Sequence, residues 1–125
     1  MDDKAFFRAV AERSGLSRQE AADLTRATLE TLALRLSDGE VRDLTPELPA
    51  SLRDSLQWGK GEMKIFGPDA SIRRVCQRTG LTAPEATRGV RAVLSTLQES
   101  VSAKEFAHAM SQLGKEYAQL LEPTG

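Results

Sequence analysis

The sequence predicts an all-α domain of two tandem helical repeats related by a pseudo-twofold, spanning about residues 3–56 and 68–121. It holds about eight helices, short ones included. Three observations carry this reading. Shifted by 65 residues, the chain aligns with itself without a gap. Four Ser/Thr-x-x-Glu motifs fall in register between the two segments. Apolar residues recur at helical spacing between those motifs.

The alignment is dense. Val10-Ala11-Glu12-Arg13-Ser14-Gly15-Leu16-Ser17 lies on Val75-Cys76-Gln77-Arg78-Thr79-Gly80-Leu81-Thr82. Arg26-Ala27-Thr28-Leu29-Glu30-Thr31-Leu32 lies on Arg91-Ala92-Val93-Leu94-Ser95-Thr96-Leu97. Across 54 aligned positions 17 pairs are identical, where about 3 or 4 are expected at average composition. One domain over 1–125 therefore reads as copy one (3–57), a connecting loop (58–68) and copy two (69–122).

Each copy punctuates its own helices. The first helix, about Asp3–Ser14 and Asp69–Thr79, ends at Gly15 or Gly80, where a left-handed backbone costs glycine nothing. Leu16 and Leu81 follow at the site of the apolar contact that accompanies a Schellman stop. The second helix opens with a capping box, Ser17-x-x-Glu20 or Thr82-x-x-Glu85. In such a box the hydroxyl accepts from a first-turn N–H, and the Glu accepts from the cap's own N–H. Pro84 sits in that first turn, where no N–H bond is lost. A third helix opens with the same device at Ser37-x-x-Glu40 and Ser102-x-x-Glu105.

The second helix carries the core stripe. Ala86, Val90, Leu94, Leu97 and Val101 recur every three or four residues, and Ala21, Thr25, Leu29, Leu32 and Leu36 match them. The simplest partner for each stripe is the equivalent face of the other copy. Copy one then turns at Thr45-Pro46 and Leu48-Pro49 into a short fourth helix, about Ala50–Gln57. Copy two lacks prolines there, so Lys104–Leu121 forms one bent helix or two, with Gly114 as the break. In the connecting loop, Trp58, Ile65 and Phe66 are too apolar for a solvated linker and are expected to pin it over the end of the core.

Composition removes several classes of function. Lys plus Arg is 17 and Asp plus Glu is 18, a net charge of −1 that gives no general attraction to phosphate. Hydrophobic residues at 40% and charged residues at 28% are those of a soluble protein. The single Cys76 excludes an internal disulfide and fits a reducing cytoplasm. No apolar run follows Met1-Asp2-Asp3-Lys4, so no signal peptide is expected. No stretch approaches the roughly 20 apolar residues of a membrane span. A cytoplasmic location is the expectation.

Chemical signatures are sparse. Cys76 aligns with Ala11 and reads as a small core residue, and the single His108 aligns with Asp43 and reads as a surface residue. One His and one Cys cannot build a structural zinc site, although acidic ligands alone hold Ca²⁺ or Mg²⁺. Gly59-Lys60-Gly61 lacks the order of a phosphate loop, and neither EF-hand spacing nor Gly-x-Ser-x-Gly occurs. No catalytic residue, metal site or cofactor is expected, and the chain does not read as an enzyme.

Arginines are the residual signal. Arg8/Arg73, Arg13/Arg78 and Arg26/Arg91 are shared by the copies. Arg26 has Asp23 and Glu30 nearby, whereas Arg91 has neither counterpart, so the shared arginines are expected to reach a carboxylate or a helix C-terminus in tertiary contacts. Arg26 and Arg91 thus join the caps, the two glycines and Trp58 as structural residues. Arg73, Arg74, Arg78, Arg88 and Arg91 crowd the start of copy two. They are the candidate patch for an acidic partner or nucleic acid, with a solvated face as the plainer reading.

Two resemblances arise from these motifs. The segment Val10 to Ser17, the run from Arg26 through Leu36 to Ser37, Asp43-Leu44-Thr45-Pro46-Glu47-Leu48-Pro49 and the second Val75 to Leu81 resemble the bacterial domain-of-unknown-function family 2267 over the full chain. Glu47-Leu48-Pro49 matches that family's acid-or-amide, Leu, Pro motif, and Gln112-Leu113-Gly114 departs from it. The resemblance implies the two-copy helical plan and no assigned activity. Residues 4–44 also resemble the helical hairpin of histone-like DNA-architectural proteins, but no basic arm follows Leu44. The functional expectation is a non-catalytic module that works through another protein. The alternatives are nucleic-acid binding through the arginines of copy two, and a small apolar ligand held between the copies near Trp58.

Overall fold

The computed structural model describes residues 1–57 and 66–121, with the backbone of Trp58. Within them run α1 (Asp3–Ser14), α2 (Arg18–Ala33), α3 (Asp38–Leu44), α4 (Arg53–Trp58), α5 (Pro68–Thr79), α6 (Ala83–Ser100), α7 (Ala103–Leu113) and α8 (Lys115–Gln119). No strand occurs among the described residues. The all-α expectation agrees with this, and no helix of the described residues is long and apolar enough to cross a membrane. The anchoring expected of Trp58 and Ile65 lies outside the described residues.

Local chemistry sets the helix boundaries. Gly15 and Gly80 both take φ 77°, and their N–H groups donate to Ala11 O at 2.9 Å and Cys76 O at 2.8 Å. The second bond of a Schellman stop is replaced. Leu16 N donates to Ser14 Oγ at 3.3 Å and Leu81 N to Thr79 Oγ1 at 3.2 Å, because the hydroxyl of the last helical residue outcompetes the carbonyl. Proline at the first position starts α5 at Pro68 rather than Asp69. Gly114, at φ 93°, divides the stretch from Lys104 to Leu121 into α7 and α8. The expected fourth helix is also divided. Thr45–Glu47 and Ala50–Leu52 are 3₁₀ turns, and regular α-helix resumes only at Arg53.

The helices interleave. α1 packs chiefly against α6 and α2 chiefly against α5, so each first helix lies on the long helix of the other half. Every residue of the two core stripes is buried. Their principal partners are nevertheless the first helices, with the expected α2–α6 contact as a narrower crossing. That crossing is tight: a Cβ added to Gly89 would lie 2.3 Å from Cδ2 of buried Leu24, the residue 65 positions earlier. One apolar cluster then runs through both halves, from Phe6 and Val10 to Leu113 and Tyr117. Each buried Leu contributes about 1.5–3 kcal/mol.

The C-terminal helix is tied in by a polar contact inside that core. Tyr117 is fully buried, its hydroxyl donates to Phe66 O at 3.2 Å, and it pairs with Ser71 Oγ. Arg35 lies 5.6 Å over the ring and donates to Leu113 O at 2.9 Å, neutralising carbonyls at the end of α7. Burial pushes the Tyr117 phenol above its usual range.

Candidate functional site

The packing decides where the arginines go. Because α5 lies on α2, Arg78 reaches Glu30 at 2.5 Å, and Arg74 stacks 5.0 Å over Phe66. Arg73 is exposed on the same helix. Because α6 lies on α1, Arg88 Nε donates to the Ser14 carbonyl at 3.3 Å, at the C-terminus of α1. The expected single patch of Arg73, Arg74, Arg78, Arg88 and Arg91 is therefore split. Arg74 and Arg78 line a groove of about 90 Å³ with Glu30, whereas Arg88 and Arg91 line another of about 470 Å³.

The larger of these two grooves combines cationic and apolar walls. Arg13 forms its third cationic wall, held by bonds to Ser95 Oγ at 3.3 Å and Thr96 Oγ1 at 3.0 Å and by an ion pair with Glu99. Leu120 and Leu121 give it an apolar side. Arg13 and Arg78, 65 residues apart, thus both reach a carboxylate on the facing long helix. Arg26 lies 4.0 Å from Asp23 on its own helix and 5.2 Å over the Phe7 ring of α1.

A second cluster comes from the helix starts. Two of the four expected capping boxes close: Ser17 N donates to Glu20 Oε1 and Thr82 N to Glu85 Oε1, each at 3.0 Å. The boxes at α3 and α7 do not. Ser37 Oγ and Ser102 Oγ still accept from Glu40 N and Glu105 N, at 3.2 Å each. The cap amides, however, turn to the other half. Ser37 N donates to Gln112 Oε1 at 2.8 Å and Ser102 N to Glu47 Oε1 at 2.6 Å. With their places taken, the Glu40 and Glu105 carboxylates are released.

The released groups meet. Glu40, Glu105 and His108 each offer a donor atom within 4.8 Å of the other two. Glu40 is 5% exposed, and burial, then the facing Glu105, push its carboxyl above the usual range, with His108 acting in the opposite direction. Glu40 Oε1 and Glu105 Oε2 are buried without a hydrogen-bond partner. Sequence reading missed this cluster, and it missed Glu47 and Gln112 as well. Their signal was available: both are side-chain acceptors at matching positions 65 residues apart, each followed by Leu, although Gly114 replaces the motif's Pro in the second.

Other candidates are simply placed. Cys76 is half-buried against the core and His108 is exposed on α7. The apolar space among Leu29, Leu32, Leu97, Val101 and Phe106 is about 20 Å³, room for one water-sized group.

These features define a class: an all-α domain in which α1 packs on α6, α5 packs on α2, and the starts of α3 and α7 are capped by side chains distant in the chain. The chain belongs to the DUF2267 family, described as an uncharacterized conserved protein, whose model matches residues 3–120. No curated protein matches the chain.

Proposed function

We propose that the protein is a non-catalytic interaction module that seats a short acidic segment of a partner protein in the groove of Arg13, Arg88 and Arg91. The observation behind this is the groove itself: about 470 Å³, three guanidinium groups and a leucine wall. Guanidinium forks take carboxylates in two-pronged bonds, and an adjacent apolar side accommodates a neighbouring aliphatic side chain. Among the described residues Met1 is the one exposed large hydrophobic, which favours charged recognition over a broad oily face. Nucleic acid is the poorer occupant. A chain of net charge −1 lacks the long-range pull of a phosphate binder.

The test is fluorescence anisotropy at low salt with a short labelled peptide of Glu and Leu. Binding should weaken with salt, and Arg88→Glu or Gln98→Glu should each weaken it about tenfold, the equivalent of 1.4 kcal/mol. Absence of binding at low salt, or binding indifferent to both variants, removes the proposal. Tighter binding of a DNA duplex than of the peptide replaces it with the nucleic-acid reading.

A further inference from the structure

We infer that Glu40, Glu105 and His108 form a site for a divalent transition-metal ion at the joint between α3 and α7. The three donors come from two helices of opposite halves. Glu105 and His108 are one turn apart and share a face of α7, and Glu40 approaches from α3. Ligand atoms around a tetrahedral zinc lie about 2.1 Å from the ion and hence about 3.4 Å apart. Donors already within 4.8 Å of one another reach that spacing by side-chain rotation.

The state of Glu40 is what separates this cluster from an ordinary acidic surface. Glu40 is 5% exposed, its Oε1 has no hydrogen-bond partner, and a second carboxylate faces it. A buried carboxyl is retained when a proton, an opposite charge or a metal ion compensates its charge. His108 is too exposed to do so alone, and Arg42 on α3 points its exposed guanidinium toward Asp43. A dication bound between the two carboxylates neutralises both.

Freedom to bind is built into the fold. A closed capping box would spend Glu40 on Ser37 N and Glu105 on Ser102 N. Gln112 and Glu47 supply those bonds from the other half, and so leave two carboxylates facing one imidazole. One nitrogen and two oxygens suit zinc and its transition-metal neighbours, because the imidazole disfavours Ca²⁺ and Mg²⁺. Solvent at the exposed His108 side completes the coordination.

A tag-free full chain, stripped with EDTA, tests this with Co²⁺ and Zn²⁺ as probes. One Co²⁺ per chain should bind with the intense visible bands of a low-coordinate site, and Zn²⁺ should displace it. The single imidazole makes the NMR readout unambiguous: its resonances should shift on zinc addition. His108→Ala and Glu105→Gln, checked for folding by circular dichroism, should each weaken zinc binding by at least about tenfold, the scale that even an outer-shell partner supplies. A chain that takes up neither ion stoichiometrically, zinc binding unchanged in His108→Ala, or Mg²⁺ or Ca²⁺ competing on equal terms with Zn²⁺ would each overturn the site.

Discussion

The long helices α2 and α6 and the third helices α3 and α7 begin with the same four-residue device, yet their glutamates meet opposite fates. Glu85 closes on its own cap, and the Thr82 N–H and hydroxyl hold its carboxyl below the usual range. Glu40 is pushed above that range by burial and by Glu105. The difference is a third acceptor: Gln112 occupies the Ser37 amide, and Glu47 occupies that of Ser102. A capping motif therefore fixes where a helix starts through its hydroxyl, while the glutamate goes wherever the better competitor leaves it.

The halves are also unlike where they cross, and that contrast breaks most violently. Leu24→Ala should cost about 2–5 kcal/mol through the cavity it leaves. Gly89→Ala gains about 1 kcal/mol of helix propensity and loses more to the clash with Leu24, for a net cost of about 1–2 kcal/mol. Urea denaturation of the double variant should show a loss smaller than the sum, because one residue fills what the other vacates.

Cap variants come next. Glu47→Ala removes a charged acceptor from Ser102 N and should cost about 1–2 kcal/mol, against about 0.5–1.5 kcal/mol for the neutral Gln112→Ala. Ser17→Ala and Thr82→Ala should each cost about 1 kcal/mol. Gln112→Ala sharpens the comparison further. It returns Ser37 N to Glu40, and the Glu40 carboxyl should then titrate lower than in the parent chain.

The smallest effect is in pH dependence. Glu40 binds its proton more readily folded than unfolded, so its contribution to stability is complete below the unfolded value of about 4.3. That contribution is lost as pH rises through the raised folded value. Glu40→Gln resembles the protonated form. In the metal-free chain its stability relative to the parent should climb across that window and then level off, as denaturation at several pH values would record.

What the sequence displays is whatever a few adjacent residues decide. Gly15 and Gly80 stop helices because their own φ is positive, and the four serine or threonine caps act on amides three residues away. The α2 and α6 stripes are legible because burial follows helical period. Illegible features span the halves. The bonds of Glu47 to Ser102 and Gln112 to Ser37 join residues 55 and 75 positions apart. The division of the arginines depends on α1 choosing α6 and α5 choosing α2. Apolar stripes alone do not specify that exchange, since either arrangement buries them. Glu40 looks like a cap residue in sequence and becomes a buried, facing carboxylate only once α7 is in place.

The most direct measurement is a carboxyl NMR titration that follows Glu40 and Glu85 together in the metal-free chain. Exchanged caps require Glu40 to titrate above an ordinary glutamate and Glu85 below one. Coincident titrations, or a Glu40 that loses its proton at or below the Glu85 midpoint, would mean that both boxes close locally and that the halves do not cap one another.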